Sequence, residues 1–396
     1  EMAREEMAQL PSSGQQLPTI VVKVGTSSIL RGETGTLALS TLASLVETLC
    51  NLRALGHSVV LVSSGAVGVG CQRLGVKTRP TSLAELQAYA AIGQPHLMRY
   101  YDELFSALGQ PIAQVLLSAD ALDSRSGYEN AQATFRELLR FGVIPVVNEN
   151  DSVAVSELRF GDNDALSALV AVLINADNLF LCTDVDALYT ANPNSPPSPG
   201  KEPAKPIREV ADLAAALHAV EAAKSNSGTQ WGTGGIATKL RAAQLASAAG
   251  ITTVIMGAAQ PHHIPALLAG SREVGTTVLP APRTVRSHKR WIMALPVRGE
   301  LRVDTGAARA LRAGASLFPA GVLAHESTSG VFCERDAVRI VDESGVEMAR
   351  AIVNYSSEQA ARLLGWKSAD ITERLGYPGP EELCHRRNIV LLSPEP

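Results

Sequence analysis

The chain has 396 residues, 46% hydrophobic and 19% charged, which is enough apolar surface for two domains with buried cores. A net charge of −4 argues against a general polyanion binder, and an aromatic content of 4% leaves few rings for stacking on single-stranded nucleic acid. Five scattered cysteines (Cys50, Cys71, Cys182, Cys333, Cys384) show no metal-like spacing and suit a reducing compartment. No apolar run reaches membrane-spanning length, and the polar, acidic residues 1–18 lack the core of a signal peptide. The reading that follows is a cytoplasmic enzyme whose residues 1–18 form a disordered tail.

From residue 19 to about 280, short apolar runs alternate with helical patterns. The runs are Thr19–Val24, Ser58–Val62, Ile112–Leu117, Val143–Val147, Leu179–Thr183 and Thr252–Met256. Between the first two, Leu42, Leu45, Val46, Leu49 and Leu52 mark one face of a helix, with Gly56 placed to end it. This alternation predicts an α/β fold, a mainly parallel sheet sandwiched by helices, whose ligands gather at the carboxyl ends of the strands. The proline-rich stretch Asn192–Pro206 reads as a surface loop within that domain. Residues 281–290 read as a solvated basic linker carrying Arg283, Arg286, Lys289 and Arg290. Residues 291–385 then read as a small, mainly β domain with a short helix near Ser357–Leu364, and 386–396 as a C-terminal tail.

Two lysines stand where a chain meets phosphate. Lys23 lies near the end of the first strand and precedes Gly25-Thr-Ser-Ser28; Lys239 lies just inside a helix opened by Gly232-Thr-Gly-Gly235. Small residues at such places let backbone N–H groups approach an anion. Polar loops also follow other strand ends: Gly65-Ala-Val-Gly-Val-Gly70, Asn148-Glu-Asn-Asp151 with Gly161-Asp-Asn-Asp164, and Thr183-Asp184-Val-Asp186. Each alone is ordinary turn chemistry, but their recurrence at one end of a sheet reads as a distributed phosphate site. A Walker-type loop is absent. Gly232–Ala237 matches G-x-G-x-x-A, yet the preceding residues are polar rather than strand-like, so a dinucleotide reading is rejected. The acidic Asp184 and Asp186 and the His262-His263 pair read as solvated surface, and no metal ligand is assigned.

The phrases Val22-Lys-Val-Gly-Thr-Ser27, Ser63-Ser-Gly-Ala66, Pro145-Val-Val-Asn-Glu-Asn-Asp151, Phe160-Gly-Asp-Asn-Asp-Ala-Leu-Ser-Ala-Leu169, Thr183-Asp184 with Leu188-Tyr-Thr190, and Gly232-Thr-Gly-Gly-Ile-Ala-Thr-Lys239 resemble the amino acid kinase family, in its glutamate-phosphorylating branch. The likeness runs from about residue 19 to 385, and the end of the chain resembles a PUA domain. Ser63, Ile236 and the lengthened proline loop are its minor departures. The resemblance implies transfer of phosphate from ATP, with Mg²⁺, to the γ-carboxylate of L-glutamate as the first step of proline synthesis. It implies Lys23, Lys239 and Asp164 as the catalytic set, Asp164 holding both lysines in place. Ser64, Asp151 and Asn163 match substrate-binding positions. Lys23, Thr183, Asp184 and the run Thr233, Gly234, Gly235, Ile236, Ala237, Thr238, Lys239 match nucleotide-binding ones.

Feedback inhibition by proline, a separate glutamyl phosphate reductase downstream and a homo-oligomeric state are further implications of the likeness. RNA binding by the PUA-like part stays unproven on the residues. The alternatives kept open are another member of the family, such as an acetylglutamate kinase or aspartokinase, and an RNA-binding or regulatory protein with a degenerate kinase lobe.

Overall fold

The computed structural model describes residues 17–31, 36–76, 78, 80–118, 122, 124–153, 163–190, 204–210, 212–225, 233–281, 285, 289–323, 328–366 and 370–392. The elements, in chain order, begin with β1 (Thr19–Val24), α1 (Thr26–Ile29), α2 (Leu39–Ala54), β2 (Ser58–Ser63), α3 (Ala66–Arg73) and α4 (Leu83–Ala107). Then come β3 (Ile112–Leu117), α5 (Arg125–Arg140), β4 (Ile144–Glu149), α6 (Asn163–Leu173), β5 (Asn178–Thr183), β6 (Leu188–Tyr189), β7 (Pro206–Ile207) and β8 (Glu209–Val210). The first domain closes with α7 (Leu213–Ser225), α8 (Thr233–Ala248), β9 (Thr252–Gly257), α9 (Ile264–Leu268) and β10 (Thr276–Val278).

These strands make an eight-stranded sheet ordered β3-β4-β2-β1-β5-β9-β10-β8. The first six run parallel, so their carboxyl ends share one edge. β1 sits near the middle and is buried from Ile20 to Val24 on both faces, the continuous apolar run expected of a parallel core strand. Alternation then sorts its side chains. Ile20, Val22 and Val24 pack under α2, α4 and α9, while Val21 faces α6 and α8. Lys23 shares the parity of Val21 and so points toward α6 and α8. Helix α6 is buried from Leu166 to Leu173 and apolar there but for Ser167, as suits a helix covered on every side.

The run Gly65–Gly70 departs from its sequence reading. Only Gly65 turns the chain, with φ 106° at the start of α3; Gly68 and Gly70 lie inside that helix. A Cβ on Gly70 would stand 2.0 Å from Tyr89 O, and one on Gly93 of α4 would stand 1.8 Å from Ala66 O. These glycines therefore let α3 and α4 cross at backbone contact, and they are packing residues rather than a phosphate loop. Gly93→Ala is expected to lower unfolding stability by at least about 2 kcal/mol in a urea titration, because both obstructing atoms are backbone.

The remaining elements are α10 (Arg290–Ala294), β11 (Val297–Arg302), α11 (Thr305–Arg312), β12 (Thr328–Ser329), β13 (Ala337–Val341), β14 (Glu347–Ile352), α12 (Ser357–Leu363), α13 (Ile371–Leu375) and β15 (Ile389–Leu391). They form a five-stranded sheet ordered β12-β11-β13-β14-β15 with its own core around Leu301, Phe332, Ile340, Ala351 and Leu363. The segment from 386 is thus not a tail: β15 pairs with β14, and Val390 and Leu392 are buried. The expected linker is not simply solvated either. Ala281 and Val285 donate backbone bonds to Ser247 and Ala248 of α8 and its end. Lys289 Nζ donates to Arg386 O at 3.0 Å and Ile389 O at 2.7 Å, and Arg290 Nη2 donates to Ala249 O at 2.9 Å. These cations satisfy backbone carbonyls of segments distant in sequence, a use that composition does not reveal. Arg283, Arg286 and residues 192–203 of the proline-rich loop lie outside the described residues.

Candidate active site

Three elements converge at the carboxyl edge of the large sheet. Lys23 comes from β1, Asp164 from the first turn of α6 and Lys239 from the second turn of α8. Lys23 Nζ stands 2.5 Å from Asp164 Oδ1, and Lys239 Nζ 3.1 Å from Asp164 Oδ2. The lysines are 5% and 8% exposed and the aspartate 1%. Lys239 Nζ also donates to Gly235 O at 3.2 Å, one helical turn back. Thr238 Oγ1 lies 3.2 Å from Asp164 Oδ2 and 3.1 Å from Gly235 O, able to donate to either. Asp164 is the second residue of its helix. Its carboxylate is turned onto the two ammonium groups, and Ser167 Oγ donates to its backbone carbonyl at 2.7 Å.

The electrostatics follow from that sharing. Burial alone would raise the Asp164 carboxyl pKa; the charges of Lys23 and then Lys239, with their hydrogen bonds, outweigh it and hold the group below the ordinary carboxylate range. Two buried cations against one carboxylate leave an excess of positive charge among the described residues. An uncompensated buried charge is costly, so the arrangement favours an anion that arrives from solvent.

The residues expected to bind an acceptor gather beside this cluster. Asn163 Nδ2 donates to Ser63 O at 2.9 Å, Ser64 Oγ at 2.8 Å and Asn148 Oδ1 at 3.0 Å, tying the start of α6 to the ends of β2 and β4. Asn148 Nδ2 continues the chain to Gln94 Oε1 at 2.9 Å. Asp151 lines a cleft of about 290 Å³ together with Ala66, Ala91, Gln94 and Glu149. Sequence reading did not single out Asn148 or Gln94. The available signal was an asparagine closing an otherwise apolar strand; nothing local marks Gln94.

On the opposite flank, Thr183 is buried at the end of β5 and its hydroxyl donates to Asp184 Oδ1 at 2.8 Å. β5 pairs directly with β1, with Lys23 opposite Leu181, so this pair stands on the strand next to Lys23. Helix α8 begins at Thr233, so Thr233, Gly234 and Gly235 form its first turn, where backbone N–H groups lack helical acceptors. Ile236 packs against the core and Ala237 is buried. Gly161, Asp162 and Gly232 lie outside the described residues. Among the described residues no group of three His, Cys, Asp or Glu side chains is arranged to hold a metal ion. No helix among them is long and apolar enough to cross a membrane.

The amino acid kinase family profile matches residues 18–257, and the PUA domain profile matches residues 299–375. A glutamate 5-kinase of Synechococcus sp. (strain JA-2-3B'a(2-13)) is 53% identical over 377 residues, covering 95% of this chain and 98% of that protein. One of Synechococcus elongatus is 52% identical over 375 residues, covering 94% and 99%. Among solved structures, T. acidophilum isopentenyl phosphate kinase in a product complex is similar at 17% identity and a TM-score of 0.46, covering 66% of this chain and 99% of that one.

Proposed function

This chain belongs to the amino acid kinase family, and on that premise we propose that it transfers the γ-phosphoryl group of ATP to the γ-carboxylate of L-glutamate, the activity its glutamate 5-kinase relatives are named for. The observation that carries the reading is the pair of buried lysines sharing one carboxylate at the sheet edge. A γ-carboxylate of ordinary pKa, about 4.3, is already ionised at neutral pH, so the reaction needs no general base. What opposes it is repulsion between an anionic oxygen and an anionic phosphoryl group. One carboxylate oxygen of glutamate attacks the γ-phosphorus, the bond from that phosphorus to the β,γ-bridging oxygen breaks, and the electron pair leaves on ADP. Cations on the transferring group and the leaving oxygen stabilise the charge that shifts in this step.

In this reading Lys23 faces the β- and γ-phosphates, Lys239 the transferring group and leaving oxygen, and Asp164 positions both. The start of α8, Thr233 to Thr238, lies against the phosphates with the free N–H groups of its first turn, and Thr183 and Asp184 contact the nucleotide. Mg²⁺, held mainly by phosphate oxygens and water, would neutralise phosphate charge when bound. Ser64, Asp151 and Asn163 hold glutamate, with Asp151 on the ammonium. A cytoplasmic homo-oligomer, restrained by proline and feeding a separate reductase, completes the proposal.

The test is an assay of ATP consumption with L-glutamate, L-aspartate and N-acetylglutamate in the presence of hydroxylamine, which traps an acyl phosphate as a hydroxamate. Hydroxamate from glutamate alone is the expected result, and a lack of turnover with all three acceptors would overturn the reading. Asp151→Ala is expected to raise the glutamate KM by roughly 10- to 100-fold while the ATP KM stays put, the loss of one charged hydrogen bond. An unchanged glutamate KM would remove Asp151 from the site.

A further inference from the structure

The amide chain beside the lysines fixes one orientation that no local sequence feature announces. The Glu149 backbone N–H can only donate, and it lies 2.9 Å from Asn148 Oδ1, which sets that side chain. The Ser63 carbonyl can only accept, and it lies 2.9 Å from Asn163 Nδ2, which sets the second. Asn148 must therefore present its Nδ2 to Gln94, and Gln94 must answer with Oε1, 2.9 Å away. The Nε2 group of Gln94, with two N–H donors, is left on the side away from Asn148, in a residue that lines the cleft. None of the described residues accepts from it.

The same wall of α4 carries a second unusual group. Pro95 lies inside the helix, has no N–H, and so deprives the Ala91 carbonyl of its donor four residues on. Ala91 and Pro95 both line the cleft, with Glu149 and Asp151 contributed by the segment that ends β4. Donors for a carboxylate and acceptors for an ammonium thus face one small space. Gly93, in backbone contact with Ala66, holds this part of α4 against the segment bearing Ser64.

We propose that Gln94 is a specificity-determining residue: its Nε2 donates to the α-carboxylate of the acceptor, while Asp151 and the Ala91 carbonyl take the α-ammonium. The inference rests on the glutamate-phosphorylating reading above and assigns the amino-acid end of that substrate to the cleft. It also explains why an acceptor with both α-groups suits a site whose chemistry needs only a distant carboxylate.

Gln94→Glu isolates the donor. A glutamate oxygen still accepts from Asn148 Nδ2, so the amide chain survives, but the N–H pair is gone and a like charge replaces it. Hydroxamate formation is measured with L-glutamate, with glutarate, which lacks the ammonium, and with 4-aminobutanoate, which lacks the α-carboxylate. The variant is expected to lose roughly 10- to 100-fold in kcat/KM with glutamate and glutarate, the range of a charged hydrogen bond, and about twofold or less with 4-aminobutanoate. Equal losses with all three acceptors, or no loss with any, would overturn the assignment. If the parent protein forms no hydroxamate from glutamate, the functional reading itself fails and the inference falls with it, a result distinct from the other two.

Discussion

Lys239→Ala is expected to lower kcat by roughly 10³-fold, with the KM for glutamate and for ATP changing about threefold or less, in steady-state assays at pH 7. The asymmetry follows from where its ammonium stands. Lys239 Nζ is bound to Asp164 and to the carbonyl one turn earlier in α8, so it is held in place before any ligand arrives. A preorganised charge acts most strongly where negative charge moves in the transition state, and less on ground-state binding, which the proposed function shares among Lys239, the α8 amides and Lys23. Folding should survive the change, because Lys23 remains paired to Asp164 at 2.5 Å. A variant that keeps its kcat and loses only affinity would show that Lys239 is a binding group and not a catalytic one.

Much of the large sheet was legible because its central strands are buried on both faces, while the half-exposed edge strand β3 still carries a continuous run of mostly apolar residues. Thr19–Val24 and Ile112–Leu117 are bounded as expected, and the other four runs shift by one or two residues. The convergence of Lys23, Asp164 and Lys239 from three elements was legible for a related reason: each stands at or just beyond the carboxyl edge that a parallel sheet shares. What resisted reading depends on distance in the chain. Gly68 and Gly70 look like loop glycines, but what crowds them is distant in the chain: a Cβ on Gly68 would meet Leu30 and Thr26, and one on Gly70 the Tyr89 backbone of α4. Gln94 is an ordinary helix residue until Asn148, 54 positions away, gives its side chain a direction. β15 reads as a tail in the sequence because three apolar residues near a terminus carry no period, and only pairing with β14 makes them a strand. Lys289 and Arg290 read as surface charge, whereas the carbonyls they bind belong to segments 41 to 100 positions away.

The interface between the two sheets bears on the site through α6 and α8. Helix α10 packs against α6 and β14, and Gln244 Nε2 in α8 donates to Glu347 O of β14 at 2.8 Å. The two helices that carry Asp164 and Lys239 therefore rest on the C-terminal domain, which gives that domain a structural tie to the lysine pair.

Asp164→Asn removes the single carboxylate between two buried ammonium groups, and it is expected to lower stability by about 3–5 kcal/mol at pH 7, the cost of breaking a buried ion pair by deleting one partner. Its pH dependence is specific in sign. The folded carboxyl is held below its ordinary value, so its contribution is fully present above the unfolded pKa of about 3.9 and is lost as pH falls through the lower folded value. The gap between parent and variant in urea unfolding should therefore be constant from neutral pH down to about 5 and close on further acidification. Other carboxylates that titrate in both proteins cancel in that difference. A polyphosphate would restore part of the missing negative charge, so Mg-ATP should raise the Tm of Asp164→Asn by more than it raises that of the parent. A gap that persists unchanged to the lowest pH at which both remain folded, with no extra response to nucleotide, would mean that Asp164 acts through packing and not through its charge.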